Sequence, residues 1–324
     1  MDTAVVLFTR DLRLSDNPAL AAAEREARHV VRLFVRDPRF GAPERRHAFL
    51  GRLLAELPVT VVEGDYLEEV ARFDPDAVFM SEDASPYARR RERRLAERFD
   101  LRLYAGTTVV ALDELKPYRV FTPYYRQWLT APRRPYEPRA EDSEAQRVLA
   151  AWTRDHRQTG SQLSPYLHFG ALSPLECAER CSEKLEFVRQ LAWRDFYLQL
   201  LRAEPDRFAL GASATARDDE RAAAWREGRT GVAIVDAGMR QLREEGWMPN
   251  RIRMICAQHL VHTLGVDWRV GAAHFEEHLV DGDVAANRGN WLWVVQNTRR
   301  LFNPELQAQR LAAYVERWRI PVSE

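Results

Sequence analysis

The sequence has little that would staple it, span a membrane or address it. Three cysteines, Cys177, Cys181 and Cys256, stand in 324 residues. So sparse and odd a set excludes a disulfide framework. Cys177 and Cys181 share a helix face, where small packed residues are the plain reading and a metal pair the other. No apolar run approaches the roughly 18–20 residues of a membrane span. The opening Met1-Asp2-Thr3-Ala4-Val5-Val6-Leu7 carries an acid and no basic region, so a cytoplasmic protein without a secretory leader or membrane partner is expected. No G-x-G-x-x-G follows the first apolar run, which leaves a Rossmann dinucleotide site unsupported. Lysine is nearly missing: Lys116 and Lys184 are the only two, so the 48 basic residues are almost all arginine. They balance 48 acids, and no net positive charge is left to spread over a polyanion. Arginine's planar fork suits phosphate, although a compositional bias is the plainer source of the excess. Any nucleic-acid surface must be a local patch.

What is present divides the chain. Over residues 1–112, β-branched runs at Ala4–Phe8, Val30–Val35, Val59–Val62, Ala77–Met80 and Leu101–Leu103 predict strands, with Thr107–Ala111 a further extended piece. Amphipathic segments at Asn17–Arg28, Pro43–Leu57, Tyr66–Phe73 and Tyr87–Phe99 predict helices between them. That alternation predicts a parallel sheet covered on both faces, an α/β fold. Prolines at 117, 123, 132, 135 and 138 then mark an interdomain linker, with a short helix at Glu144–His156. From 159 onward the pattern is helical. Ser164-Pro165 and Ser173-Pro174 each read as a cap followed by proline in the first turn. Helices are expected at Leu185–Leu201, Thr230–Glu244, Asn250–Leu264, Val270–Leu279 and Asn290–Thr298.

Three features of the helical half bear on chemistry. Seven of nine tryptophans lie after residue 190, which is core packing, or a stacking surface and a path for electrons. The run Gln158-Thr159-Gly160-Ser161-Gln162-Leu163-Ser164-Pro165 is an ordinary capped helix start or an anion site for a pyrophosphate. The run Asp281–Trp293 gathers two carboxylates, two asparagines and two glycines in an apolar region, with Arg251 and Arg253 as candidate partners. His274-Phe275-Glu276-Glu277-His278 departs from the zinc-protease order because position 275 is Phe, and its histidines read as packed or surface residues with no metal.

Together these segments resemble the DNA photolyase/cryptochrome family, in particular shortened bacterial class I cyclobutane pyrimidine dimer photolyases. The resemblance rests on Leu7–Asn17, Tyr118–Tyr124, Leu163–Gly170, Trp193–Tyr197 and Asp281–Trp293, in the family's order. It implies an N-terminal α/β domain over 1–128, a linker over 129–158 and a helical domain over 159–324 that binds FAD, active as reduced FADH⁻, with an antenna pigment of unknown identity in the first domain. Gly160, Ser161, Gln162, Leu163 and Ser164 would hold its phosphates. Trp193, Arg194, Phe196 and Tyr197 would line the cavity. Arg253 would pair with Asp281 beside the ring, with Gly282 and Asp283 near its polar edge and Asn287 at its reactive nitrogen. Trp291, Trp268 and Trp225 would carry electrons from flavin to surface. The implied activity is light-driven repair of cyclobutane dimers in ultraviolet-damaged DNA, contacted by Gln190, Trp193, Asn250, Arg251 and Gln307; the chain is expected to act as a monomer. A blue-light receptor without repair, or a (6-4) photolyase, are the alternatives.

The sequence also departs from the family's pattern. Gln190 replaces a lesion-facing Glu and cannot readily supply a proton, so slower repair is expected. Gly160 and Gln162 replace Thr and Arg, which removes a charge-assisted bond to phosphate. Asn250 stands where (6-4) enzymes carry an acidic His.

Overall fold

The computed structural model describes residues 1–38, 41, 43–154, 161–211, 219–298 and 301–319. By compactness the chain forms two units, Met1–Arg207 and Phe208–Glu324.

The first unit is built on strands β1 (Thr3–Phe8), β2 (His29–Arg36), β3 (Thr60–Glu63), β4 (Ala77–Ser81) and β5 (Leu101–Tyr104). They lie in the order β3-β2-β1-β4-β5, and every pairing is parallel. Helices α1 (Pro18–Glu26), α2 (Glu44–Ala55), α3 (Tyr66–Ala71) and α4 (Pro86–Ala96) alternate with the strands. β1 and β4 are buried nearly throughout, as continuous apolar runs in a doubly covered sheet should be. The α/β expectation holds, strand by strand, to within a residue or so.

The linker region carries more structure than its prolines suggested. Phe121–Trp128 is a helix, α5, followed by α6 (Glu144–Arg154), α7 (Ser164–Phe169), α8 (Pro174–Arg180) and α9 (Leu185–Ala203). Pro123 sits in the first turn of α5, where its missing N–H is harmless. Phe121, Tyr124 and Trp128 on α5 are buried, and Phe121 and Tyr124 both contact Phe196 of α9. The extended piece expected at Thr107–Ala111 is no strand. Its amides at Val109 and Val110 are taken by the Asp195 carboxylate, which leaves them unavailable to a ladder.

The opening motif is a clip. Arg13 is fully buried and donates to the carbonyls of Asp16, Gly106 and Gly170 at 2.8–3.2 Å. Asp16 is buried against Arg134 at 2.5 Å and accepts from the Ser173 hydroxyl. Gly170 closes α7 at φ +69°, and a Cβ there would lie 1.8 Å from the Arg10 carbonyl oxygen. Only glycine fits both the conformation and the space.

The second unit is helical among its described residues: α10 (Glu220–Glu227), α11 (Ala233–Glu245), α12 (Asn250–Gln258), α13 (Trp268–His278), α14 (Val284–Gln296), α15 (Pro304–Arg310) and α16 (Ala312–Arg317). A π-helical turn, His259–Thr263, ends α12 earlier than the continuous helix expected to Leu264. α14 begins at Val284, six residues before the expected start, because Asp283 caps it by accepting from Ala286 N at 2.7 Å. No helix among the described residues is long and apolar enough to cross a membrane.

Candidate functional site

The second unit contains a small open cleft of about 60 Å³ between α12, α13 and α14. Its lining includes Asn250, Arg253 and Met254 from α12, Asp281 before α14, and Asn287, Asn290 and Trp291 on α14. Arg253 Nη2 donates to Asp281 at 2.8 Å, with the carboxylate side chain only 2% exposed, and Arg253 Nε donates to the Met248 carbonyl at 2.9 Å. The expected Arg253–Asp281 pair is therefore formed. Two α14 residues one helical turn apart, Asn287 and Trp291, meet on the cleft wall, where the indole N–H donates to the amide oxygen at 3.1 Å.

Asn287 is held from behind as well. Its Nδ2 donates to the Ala272 carbonyl at 2.9 Å and to Glu276 at 3.2 Å. Glu276 in turn takes both Arg288 Nε and Nη2, at 2.6 and 2.7 Å. Glu276 belonged to the histidine segment set aside in the sequence; its role emerges only when α13 and α14 are packed together. Gly271 explains how they approach, since a Cβ there would meet the Trp291 ring at 2.2 Å.

Of the three expected tryptophans, two are in contact. Trp291 and Trp225 contact edge to face at 6.2 Å, with Phe275 stacked on Trp225 at 5.7 Å. Trp225 is fully buried, donating to the Cys256 carbonyl at 2.9 Å. Trp268 is buried as well, at 8% exposure. Asp283 is engaged as the α14 cap and Gly282 lies in the turn before it. Among the expected DNA residues, Asn250 and Arg251 are exposed. Gln307 is buried and accepts from Arg251 at 3.5 Å, so it supports Arg251 rather than facing solvent.

The remaining expected residues lie in the first unit. Gly160 falls outside the described residues. Ser161 Oγ accepts from Leu163 N at 3.3 Å, and Gln162 adopts φ +51°, an uncommon conformation for a side chain of its size. Leu163, not Ser164, occupies the cap position of α7, and Ser164 lies one residue inside it. Ser173 does cap α8, accepting from Glu176 N at 3.3 Å. On α9, Gln190 is exposed, Phe196 and Tyr197 are buried, and Arg194 donates to the carbonyls of Thr107 and Leu167. Trp193 stacks on Phe121 at 3.6 Å and 8°. Phe121 stands in the proline-marked stretch and in the family-like run Tyr118–Tyr124; its aromatic neighbours at 124, 125 and 128 are the signal that α5 packs on α9.

Asp195 beside Trp193 is wholly buried. Its Oδ2 accepts from Val109 N, Val110 N and Trp128 Nε1 at 2.9–3.2 Å, and Oδ1 faces Arg194 at 3.7 Å. Loss of solvent outweighs these partners and pushes the carboxyl up to about 6. A carboxyl raised on folding stabilises most below its unfolded value near 4, and this contribution of about 3 kcal/mol is lost as pH rises towards 6. The Asp195 carboxyl ¹³C resonance should therefore titrate near 6, and a midpoint below about 4.5 would refute the assignment.

Comparison with known proteins fits this arrangement. Residues 4–146 match the DNA photolyase family model, and residues 187–322 match that for the FAD binding domain of DNA photolyase. A deoxyribodipyrimidine photo-lyase of Streptomyces griseus is 38% identical, covering 98% of this chain and 89% of the relative. That alignment runs over 409 positions, so the relative carries segments this chain lacks. The photolyase structure from Sulfolobus tokodaii, which holds two FAD molecules, superposes with a TM-score of 0.88 at 29% identity, covering 98% of this chain and 90% of that one. A class III photolyase from Agrobacterium tumefaciens gives 0.82 at 26%, covering 98% and 86%. With both domain models matched in order and a relative this similar along nearly its whole length, the chain is a member of the DNA photolyase family and carries that family's FAD-binding domain.

Proposed function

We propose that the protein repairs cyclobutane pyrimidine dimers in DNA, with the flavin ring of FAD in the cleft of the second unit. The observation that carries this reading is the cleft's donor set: the Arg253–Asp281 pair, three asparagines and an indole wall in one apolar recess. A flavin ring has a flat apolar face and an edge of alternating donors and acceptors, and these residues match both. When bound and reduced, FAD supplies the light-excited electron that opens the dimer and recovers it afterwards.

The chain's own residues position and shelter. Arg253 offers positive charge to an electron-rich ring edge, and Asp281 holds that guanidinium in place. Asn287 brings an uncharged amide, compatible with a neutral or an anionic ring. Trp291 adds an oxidisable indole at the cleft wall. Ser161, Gln162, Leu163 and Ser164 are proposed for the phosphates by resemblance, with Trp193, Arg194, Phe196 and Tyr197 as further flavin-domain residues. Photolyases as a class take the target nucleotide out of the duplex. Asn250 and Arg251 are exposed for DNA contact, and a contact of Arg251 with phosphate would weaken with salt. Gln190 would bond a base without lending it a proton. Asn250 disfavours (6-4) chemistry for want of an acid.

The test is blue-light repair of ultraviolet-treated oligothymidine by FAD-loaded, reduced protein. Dimers should disappear in light and persist in darkness, and Gln190→Glu should repair faster. Bound, reduced FAD with no dimer loss would reject the reading in favour of a receptor.

A further inference from the structure

The second unit gathers a separate group of metal-ligating side chains on α13. His274, Glu277 and His278 each bring one ligand atom within 4.8 Å of the others. Their spacing places them on one helix face. A tetrahedral ion with bonds of about 2.0–2.1 Å holds its ligands roughly 3.4 Å apart. The widest separation exceeds this by no more than about 1.4 Å, and Glu277 is exposed, with room to rotate. The imidazoles are already paired, with ring centroids 4.1 Å apart.

The histidine tautomer is also set. His278 Nδ1 lies 2.9 Å from the His274 carbonyl oxygen, which can only accept, so Nδ1 carries the proton. Nε2 is left with its lone pair. Ligating histidines characteristically commit their second nitrogen to such a carbonyl. On the inner side, His274 packs edge to face on Trp225 at 5.6 Å. Arg226 lies near enough to oppose added positive charge at His274, and the Glu277 carboxylate offsets it.

We propose that His274, Glu277 and His278 form a site for a divalent first-row transition metal ion, seated at the outer side of the Trp225–Trp291 cluster. Two imidazoles and a carboxylate are the donor set that zinc and copper share. The site is independent of the flavin cleft and of the repair reading.

The experiment is calorimetric titration of chelator-stripped, FAD-loaded full-length protein with Zn²⁺. One equivalent should bind, with Kd in the micromolar range, about −8 kcal/mol. His278→Ala should weaken it by at least about tenfold and Glu277→Gln by a few fold, in line with losing one ligand. His29→Ala, at the exposed start of β2, should change nothing. Cu²⁺ should bind more tightly than Zn²⁺ and quench tryptophan fluorescence through Trp225, and His278→Ala should shift the quenching to at least about tenfold higher Cu²⁺. No saturable binding below about 1 mM Zn²⁺ would overturn the proposal. So would binding undiminished in both His278→Ala and Glu277→Gln, with circular dichroism confirming that each variant is folded.

Discussion

Arg13→Ala lowers the stability of the protein by about 3–5 kcal/mol, the range for removing one partner from a buried charged network. The guanidinium is fully buried, and its four hydrogen bonds serve three carbonyl oxygens that water does not reach. Each acceptor left without a donor costs about 1–3 kcal/mol, and the vacated volume adds to that. The neighbouring Asp16 carboxylate keeps Arg134 and Ser173, so the loss concentrates on the backbone acceptors. Arg13→Lys should recover only part of it, because an ammonium cannot present the same fork. Since whole domains are held by about 5–15 kcal/mol, Arg13→Ala should unfold at a much lower urea concentration. A midpoint shift worth less than about 1 kcal/mol would show that the clip is dispensable.

Trp291→Phe is the second large effect, and it concerns electron supply. Trp291 lines the cleft, bonds Asn287 and meets Trp225 edge to face. Phenylalanine fills most of the same space but is far harder to oxidise and has no N–H for the Asn287 oxygen. Light-driven reduction of bound FAD by an external donor should slow by more than about tenfold, equivalent to ~1.4 kcal/mol in the barrier. FAD content should stay near that of the parent protein, which separates lost electron transfer from lost binding. Unchanged photoreduction at equal FAD content would remove Trp291 from the route. Trp225→Phe and Trp268→Phe then apportion the outward path between two buried indoles.

Much of this molecule was legible before folding. Strands β1 and β4 announced themselves as apolar runs, because a strand buried on both faces needs no polar alternation. Arg251 and Arg253 were legible as candidate partners for Asp281 because a carboxylate in an apolar stretch requires a cation, and the family resemblance singled out Arg253. Errors clustered where one signal masked another. Pro123 suggested a break, whereas proline in the first turn starts a helix as readily as it stops one. The helix expected from Asn290 begins at Val284, because the cap at Asp283 stands among glycines and polar residues that hide the helical period.

The sequence alone determined the order of strands and helices, the apolar faces that must be buried and the residue types available for flavin and DNA. The first two follow from local periodicity and capping, which act over a few residues, and the third from the motifs shared with the family. Tertiary structure alone decided that Trp225 is sealed inside, that Glu276 braces Asn287, that Gln307 backs Arg251 and that Trp193 rests on Phe121. These depend on how helices distant in sequence approach one another, and that approach is set by side-chain volume at contacts such as Gly271 on Trp291, which no local pattern encodes.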